Sequence, residues 1–145
     1  MLYELAEEAK REVSKYSDDY EIFLDSSELL QLDSQKTDLN FAKEEINLGI
    51  GVRVIKDGKV GFAFTSDMGE IAKTCENAYL NSKLNSADEN FSFAEVEKLP
   101  KINGTFDKKF RDLDLDELTD SLKSILNCID DNGCQTTSGG FSAAE

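Results

Sequence analysis

Three cysteines, several carboxylate clusters and a set of glycines are the residues of this chain that could do chemistry, and there is no histidine among its 145 residues. Without histidine the chain cannot hold an H-E-x-x-H zinc site, a Ser-His-Asp triad or a Cys-His pair. Cys75, Cys128 and Cys134 are odd in number and form no C-x-x-C pair. That argues against a disulfide framework and fits a reducing compartment, the cytoplasm. Cys75 falls on an apolar helical stripe and reads as a buried small hydrophobe. Cys128 and Cys134 have no neighbouring base to lower their pKa. Asp112, Asp114, Asp116 and Glu117 have the look of a hard-cation loop, but the glycine and the twelfth-position Glu of an EF-hand are missing. Helix capping explains them better. Asp18-Asp19 and Asp130-Asp131 read as polar punctuation at helix ends. The expectation is that no catalytic, cofactor-binding or metal-ligating residue lies within this chain.

The glycines need an element to sit on. Gly49 and Gly51 flank Ile50 at the start of a β-branched run, Leu48 to Ile55, so they enter a strand. A phosphate loop would place them at a strand-to-helix turn. Glycine inside a strand marks a bulge or the close approach of another backbone. One reading is an extended peptide or a second subunit lying across the sheet. The plainer reading is a bend that fits a helix onto the sheet. Arg53, opposite the apolar face, is expected to pair with one of the many carboxylates, with an interface role as the alternative.

Those residues sit inside one ordered stretch. Leu48 to Ile55 leads to Asp57-Gly58, a pair suited to a type I′ turn because both central positions need φ > 0. Val60 to Thr65 returns as a second strand. Asp67 is placed to cap a helix, with Glu70 three residues on as its capping-box partner. Ile71, Ala72, Cys75, Ala78 and Tyr79 recur at helical spacing as far as about Asn85.

The remaining elements follow by periodicity. Leu2, Leu5, Ala6, Ala9, Val13 and Tyr16 form the stripe of a first helix, ended by Ser17-Asp18-Asp19. Tyr20 to Asp25 alternates as a strand. Ser26-Ser27 reads as a turn or irregular point, and Leu29 to Gln35 as a second strand. Thr37 to Glu45 is ambiguous between strand and helical turn. Phe91 to Lys101 has no clear period, and Leu99-Pro100 disfavours helix there. Phe106 and Phe110 punctuate a surface connection packed back on the core. Asp114 caps a second strong helix, with Glu117 in the capping-box position and a stripe of Leu115, Leu118, Leu122, Ile125, Leu126 and Ile129. Asp131-Asn132-Gly133 ends it, and Cys134 to Ser138 begins a closing strand. The order predicts an α+β two-layer sandwich, a mostly antiparallel sheet with helices packed on one face.

Sixteen basic residues against thirty acidic ones give a net charge of −14. Such a surface repels phosphate backbones, so direct nucleic-acid binding is not expected. It serves solubility, or complements a basic partner surface. No apolar run approaches the length that spans a bilayer. The amphipathic, acidic N-terminus is expected to be neither a signal peptide nor a transit peptide. The length fits one domain, residues 1–145, able to bury a core without staples.

The ordered stretch GIGVRVIKDGKVGFAFTSD, followed by its helix, resembles the N-terminal domain of the TldD/PmbA family, also called the modulator of DNA gyrase family. The leading helix, the Leu99-Pro100 linker, the later helix and the closing TTSGGFS agree with that resemblance. The S-G-G-F segment and the T-S-D helix start look closer to the PmbA (TldE) branch. The resemblance implies that this is the N-terminal part of a longer chain with a large C-terminal domain. It further implies a non-metal subunit of a TldD–TldE-type metallopeptidase complex that encloses its active site and cleaves unfolded peptides. The metal, zinc, is then expected on a TldD-type partner carrying H-E-x-x-x-H. Partners expected are that peptidase subunit or a second copy, with unfolded peptide as substrate. Two alternatives stay open: the front of a TldD-type subunit with its own metal downstream, or a free-standing interaction module.

Overall fold

Apolar residues three and four apart from Leu2, and alternating from Tyr20, build a helix and then a strand in the structure, a computed structural model describing residues 2–36, 38–95, 98, 100–134 and 138–145. The elements are α1 (Leu2–Val13), β1 (Asp19–Gln35), β2 (Asp38–Lys56), β3 (Lys59–Thr65), α2 (Ile71–Leu84), α3 (Leu115–Asp131) and β4 (Gly139–Ala144). The strands pair in the order β3-β2-β1-β4. The sheet is antiparallel and, with its helices, gives an α+β two-layer architecture, as the pattern predicted.

The chain divides into two compact units. The first comprises Met1–Ser26 and Asn47–Leu99, the second Ser27–Ile46 and Pro100–Glu145, so the long strands β1 and β2 run through both. In the first unit Ile50, Val52 and Val54 of β2 pack against Ala9 and Val13 of α1 and against Ile71, Cys75 and Ala78 of α2, all buried. Tyr16 stacks on Tyr79 with ring centroids 5.2 Å apart, while Lys83 Nζ lies 4.2 Å from the Tyr79 ring. Buried Ser17 donates its hydroxyl to the Ile55 carbonyl at 2.6 Å, fixing the turn after α1 to β2. At the hairpin, Asp57 has φ 52° and Gly58 φ 70°. Both signs are those of a type I′ turn, the twist-matched connection for two antiparallel strands.

In the second unit Leu30 and Leu32 of β1 meet Leu118, Leu122 and Leu126 of α3. The three helical leucines are four apart, so they line one face, and each fully buried leucine contributes roughly 1.5–3 kcal/mol. Asp114 Oδ1 accepts the Glu117 amide at 2.8 Å and caps α3. At the other end the Gly133 amide donates to Asp130 O at 2.8 Å and the Cys134 amide to Ile129 O at 3.1 Å. With Gly133 at φ 66°, this is a Schellman motif.

Several boundaries differ from those expected. Tyr20–Asp25 and Leu29–Gln35 are one strand, and Ser26-Ser27 lies inside it. The ladder overrides local turn propensity: Glu28 and Glu145 exchange backbone bonds at 3.1 and 3.0 Å one residue past the serines. The ambiguous segment is strand from Asp38 onward and runs without a break into the Leu48 run as β2, so the described elements before α2 include three strands; its first residue, Thr37, lies outside the described residues. The closing strand starts at Gly139 rather than at Cys134, because the Schellman motif holds the Cys134 amide against the helix end. Residues 135–137 and Leu99 of the Leu99-Pro100 linker lie outside the described residues. Glu70 is not a capping-box partner. The Asp67 amide is taken by Thr65 Oγ1 at 3.0 Å, Asp67 Oδ1 caps a short 3₁₀ turn through the Gly69 amide at 2.9 Å, and Glu70 meets Lys73 at 3.4 Å.

Candidate functional site

Alternation along three strands of the first unit puts one set of side chains under the helices and another on the opposite face. The outward set is Glu21, Phe23 and Asp25 on β1, Gly49, Gly51 and Arg53 on β2, and Phe62 and Phe64 on β3. Register places Gly51 opposite Phe64 and Arg53 opposite Phe62. The result is a trough of about 440 Å³ whose floor is glycine backbone, with the Phe62 ring close over Gly51, and whose flanks are phenylalanines. Phe23, Phe62 and Phe64 are 66%, 51% and 76% exposed, far more than aromatic rings of a covered sheet. The Phe62 and Phe64 rings stack at 6.1 Å.

Electrostatics closes one end of the trough. Arg53 Nη2 lies 3.4 Å from Glu21 Oε1, the pairing expected from the sequence, and its guanidinium carbon is 6.0 Å from the Phe93 ring. Phe93 is held edge-on by Phe91 at 5.9 Å. Asp25, also on the trough, is exposed. The chemistry on offer is binding: apolar contact, cation attraction and access to flat backbone. Of the lining hydroxyls of Thr65 and Ser66, Thr65 Oγ1 is committed to Asp67. The donor set does not suit a transition metal. Of the two carboxylates, Glu21 is paired to a guanidinium, and neither nitrogen nor sulfur ligands line the trough.

Of the two readings the sequence offered for Gly49 and Gly51, the bend that fits a helix onto the sheet does not hold. A Cβ on Gly49 would meet only Thr65 O, at 3.8 Å, and a Cβ on Gly51 would lie 3.2 Å from the Phe62 ring. Both face away from the helices, so neither fits a helix onto the sheet. Gly61 does that: a Cβ there would run into the Ala78 carbonyl and the Ser82 amide, and would come within 2.8 Å of Ser82 Cα. Sequence reasoning missed this residue, although the small-residue positions Ala78 and Ser82 on α2 were a signal.

The edge of β3 carries a second feature that the sequence reading missed. The hairpin closes on the Lys56–Lys59 pair, so alternate residues Val60, Phe62 and Phe64 turn their backbone groups outward. Asn85 Nδ2 donates to Val60 O at 2.6 Å, and Asn81 Nδ2 donates to Phe62 O at 2.9 Å. Four residues of helix rise about 6 Å and two residues of strand about 6.8 Å, so the asparagine spacing matches the carbonyl spacing.

The other candidates disperse. Cys75 is buried, 3.7 Å from the Ala9 carbonyl, and burial with the Glu12 carboxylate pushes its thiol up to about 11. Cys128 and Cys134 are exposed near the end of α3. Asp112 and Asp116 are exposed beside the capping Asp114, and among the described residues no three His, Cys, Asp or Glu side chains form a metal-holding group. Among the described residues no helix is long and apolar enough to cross a membrane.

Comparison with known proteins agrees with this fold. Residues 20–82 match the family model of the PmbA/TldA metallopeptidase domain 1. An uncharacterized protein of Methanocaldococcus jannaschii is 38% identical over 98 residues, which cover 67% of this chain and 22% of that protein. TldE from Thermococcus kodakarensis has a similar fold, with a TM-score of 0.77 at 21% identity, covering 97% of this chain and 33% of that one. A Thermotoga maritima protein described as a modulator of a DNA gyrase superposes with a TM-score of 0.82 at 16% identity, covering 99% of this chain and 33% of that one. The chain thus spans about a fifth of its curated relative and a third of the solved structures. The segment from Tyr20 to Ser82, which includes the type I′ hairpin, the trough and most of α2, makes this chain a member of the PmbA/TldD family, carrying its N-terminal domain.

Proposed function

We propose that this chain is the N-terminal domain of a PmbA/TldE-like subunit, the partner without the catalytic metal in a cytoplasmic metallopeptidase complex that processes unfolded peptides. Zinc would sit on a TldD-type subunit, and this domain would supply chamber wall and subunit contact. The observation that carries the reading is the uncovered trough of Phe23, Phe62 and Phe64 over a glycine floor, within the segment matching the family's first domain. An aromatic surface over glycine backbone suits polypeptide, and a net charge of −14 disfavours nucleic acid. The branch rests on S-G-G-F and T-S-D, and TldE is among the similar folds.

The test is co-expression of the whole reading frame with a TldD-type subunit, followed by metal analysis and assay against unfolded polypeptide. The expected result is a complex with zinc on the TldD-type chain, active only when both subunits are present. An H-E-x-x-x-H motif downstream of Glu145, with zinc and activity in this protein alone, would make it a TldD-type subunit instead. No complex and no activity in either arrangement would refute the peptidase role.

A further inference from the structure

We infer that the trough on the outer sheet face is a binding site for an extended peptide segment in which apolar residues alternate with Lys or Arg. The inference takes the trough's peptide-facing role as its premise, and its test needs no peptidase activity.

Three observations select this occupant. The first is width. The flanking rings stand on β1 and β3, two strand spacings apart, or about 10 Å. An extended chain fits that span, whereas a helix with its side chains is 10–12 Å across and would ride on the rings. The second is the closed edge. Peptides commonly join a sheet by adding a strand to its edge. On β3 the outward carbonyls of Val60 and Phe62 are taken by Asn85 and Asn81, so strand addition is blocked at the edge that borders the Phe62 and Phe64 flank, and there the face is the surface on offer. The third is charge. Asp25 is exposed on the trough and has no ion-pair partner among the described residues, while Glu21 shares its charge with Arg53. The exposed Phe23 and Phe64 rings add faces on which a guanidinium or ammonium can rest. An acidic chain of net charge −14 also steers cationic segments toward it.

The experiment uses the intact protein and three labelled unstructured peptides of equal length, alternating Phe and Arg, alternating Phe and Glu, and alternating Ser and Arg, with a fourth, alternating Phe and Ser, as the uncharged control for the Asp25 variant. Fluorescence anisotropy at near-physiological salt reads affinity. The Phe/Arg peptide is expected to bind saturably, at least tenfold tighter than either other peptide. Phe64→Ser should weaken it at least tenfold. Asp25→Asn should weaken it three- to tenfold while leaving binding of a Phe/Ser peptide unchanged. Both side chains are exposed, and circular dichroism would verify that each variant is folded. Equal binding of the Ser/Arg peptide would reduce the effect to bulk charge and overturn the inference. So would Phe/Arg affinity that is unmoved by Phe64→Ser. Self-association of the protein through this face, abolished by Phe64→Ser and indifferent to peptide, would assign the trough to a second copy and also overturn it. Peptide binding with no peptidase activity in any complex would leave this inference standing and remove the proposed function.

Discussion

Gly61 of β3 lies directly beneath the Ala78 carbonyl of α2, in a space where no Cβ fits. Helix and strand therefore meet backbone to backbone, and the obstructing atoms belong to a rigid helix rather than to a side chain that could swing away. Gly61→Ala should destabilise the protein by about 3 kcal/mol or more, because overpacking here must displace main chain. Gly49→Ala, whose nearest neighbour is 3.8 Å away, should be neutral or slightly stabilising. Urea denaturation of the pair would check this, and equal effects would refute the helix-docking role of Gly61.

Gly58 holds the second central position of the I′ turn at φ 70°. A β-branched side chain resists that region, so Gly58→Val should cost about 1–3 kcal/mol, and Gly58→Asn clearly less. The Gly58 carbonyl also accepts the Asp88 amide at 2.8 Å, so the connection after α2 should loosen with the turn. An unchanged melting temperature in the valine variant would contradict the turn assignment.

Asn81 and Asn85 blunt an edge that would otherwise offer free carbonyls to another chain. Replacing both with Ala should cost roughly 1 kcal/mol for each hydrogen bond. The larger effect should be new, concentration-dependent self-association. Sedimentation velocity over a hundredfold range of protein concentration would show it. A double variant that sediments like the parent at every concentration would mean the asparagines are not edge blockers.

Burial of Cys75, with Glu12 adding to it, raises the thiol from 9.0 to about 11. Between those values the unfolded chain has released its proton and the folded chain has not. Folding then binds a proton, so this thiol's stabilising contribution is complete below about pH 9 and is lost as pH rises toward 11, by about 2 kcal/mol or less. Denaturation curves of the parent and Cys75→Ala from pH 7.5 to 10.5 should differ in slope, the parent falling more steeply. Parallel curves would refute the shift. In the folded protein, maleimide should label Cys128 and Cys134 and spare Cys75.

What the sequence determined by itself was local and periodic. Asp57-Gly58 dictates its turn because few residue pairs tolerate two positive φ values. The leucines of α3 and the Asp114 cap define a helix because spacing and capping act within a few residues. The two-layer α+β class follows from those elements together. The rest depends on partners distant in sequence. The strand ladder carries β1 through Ser26-Ser27 against their turn propensity. The Schellman motif ties Cys134 to the end of α3 instead of to a strand. The division of labour among Gly49, Gly51 and Gly61 could not be read from composition, since a glycine shows its purpose only through what stands where its Cβ would be. The trough is likewise a product of register: Phe23, Gly51 and Phe64 lie far apart along the chain and share a face because side chains alternate strictly on each paired strand.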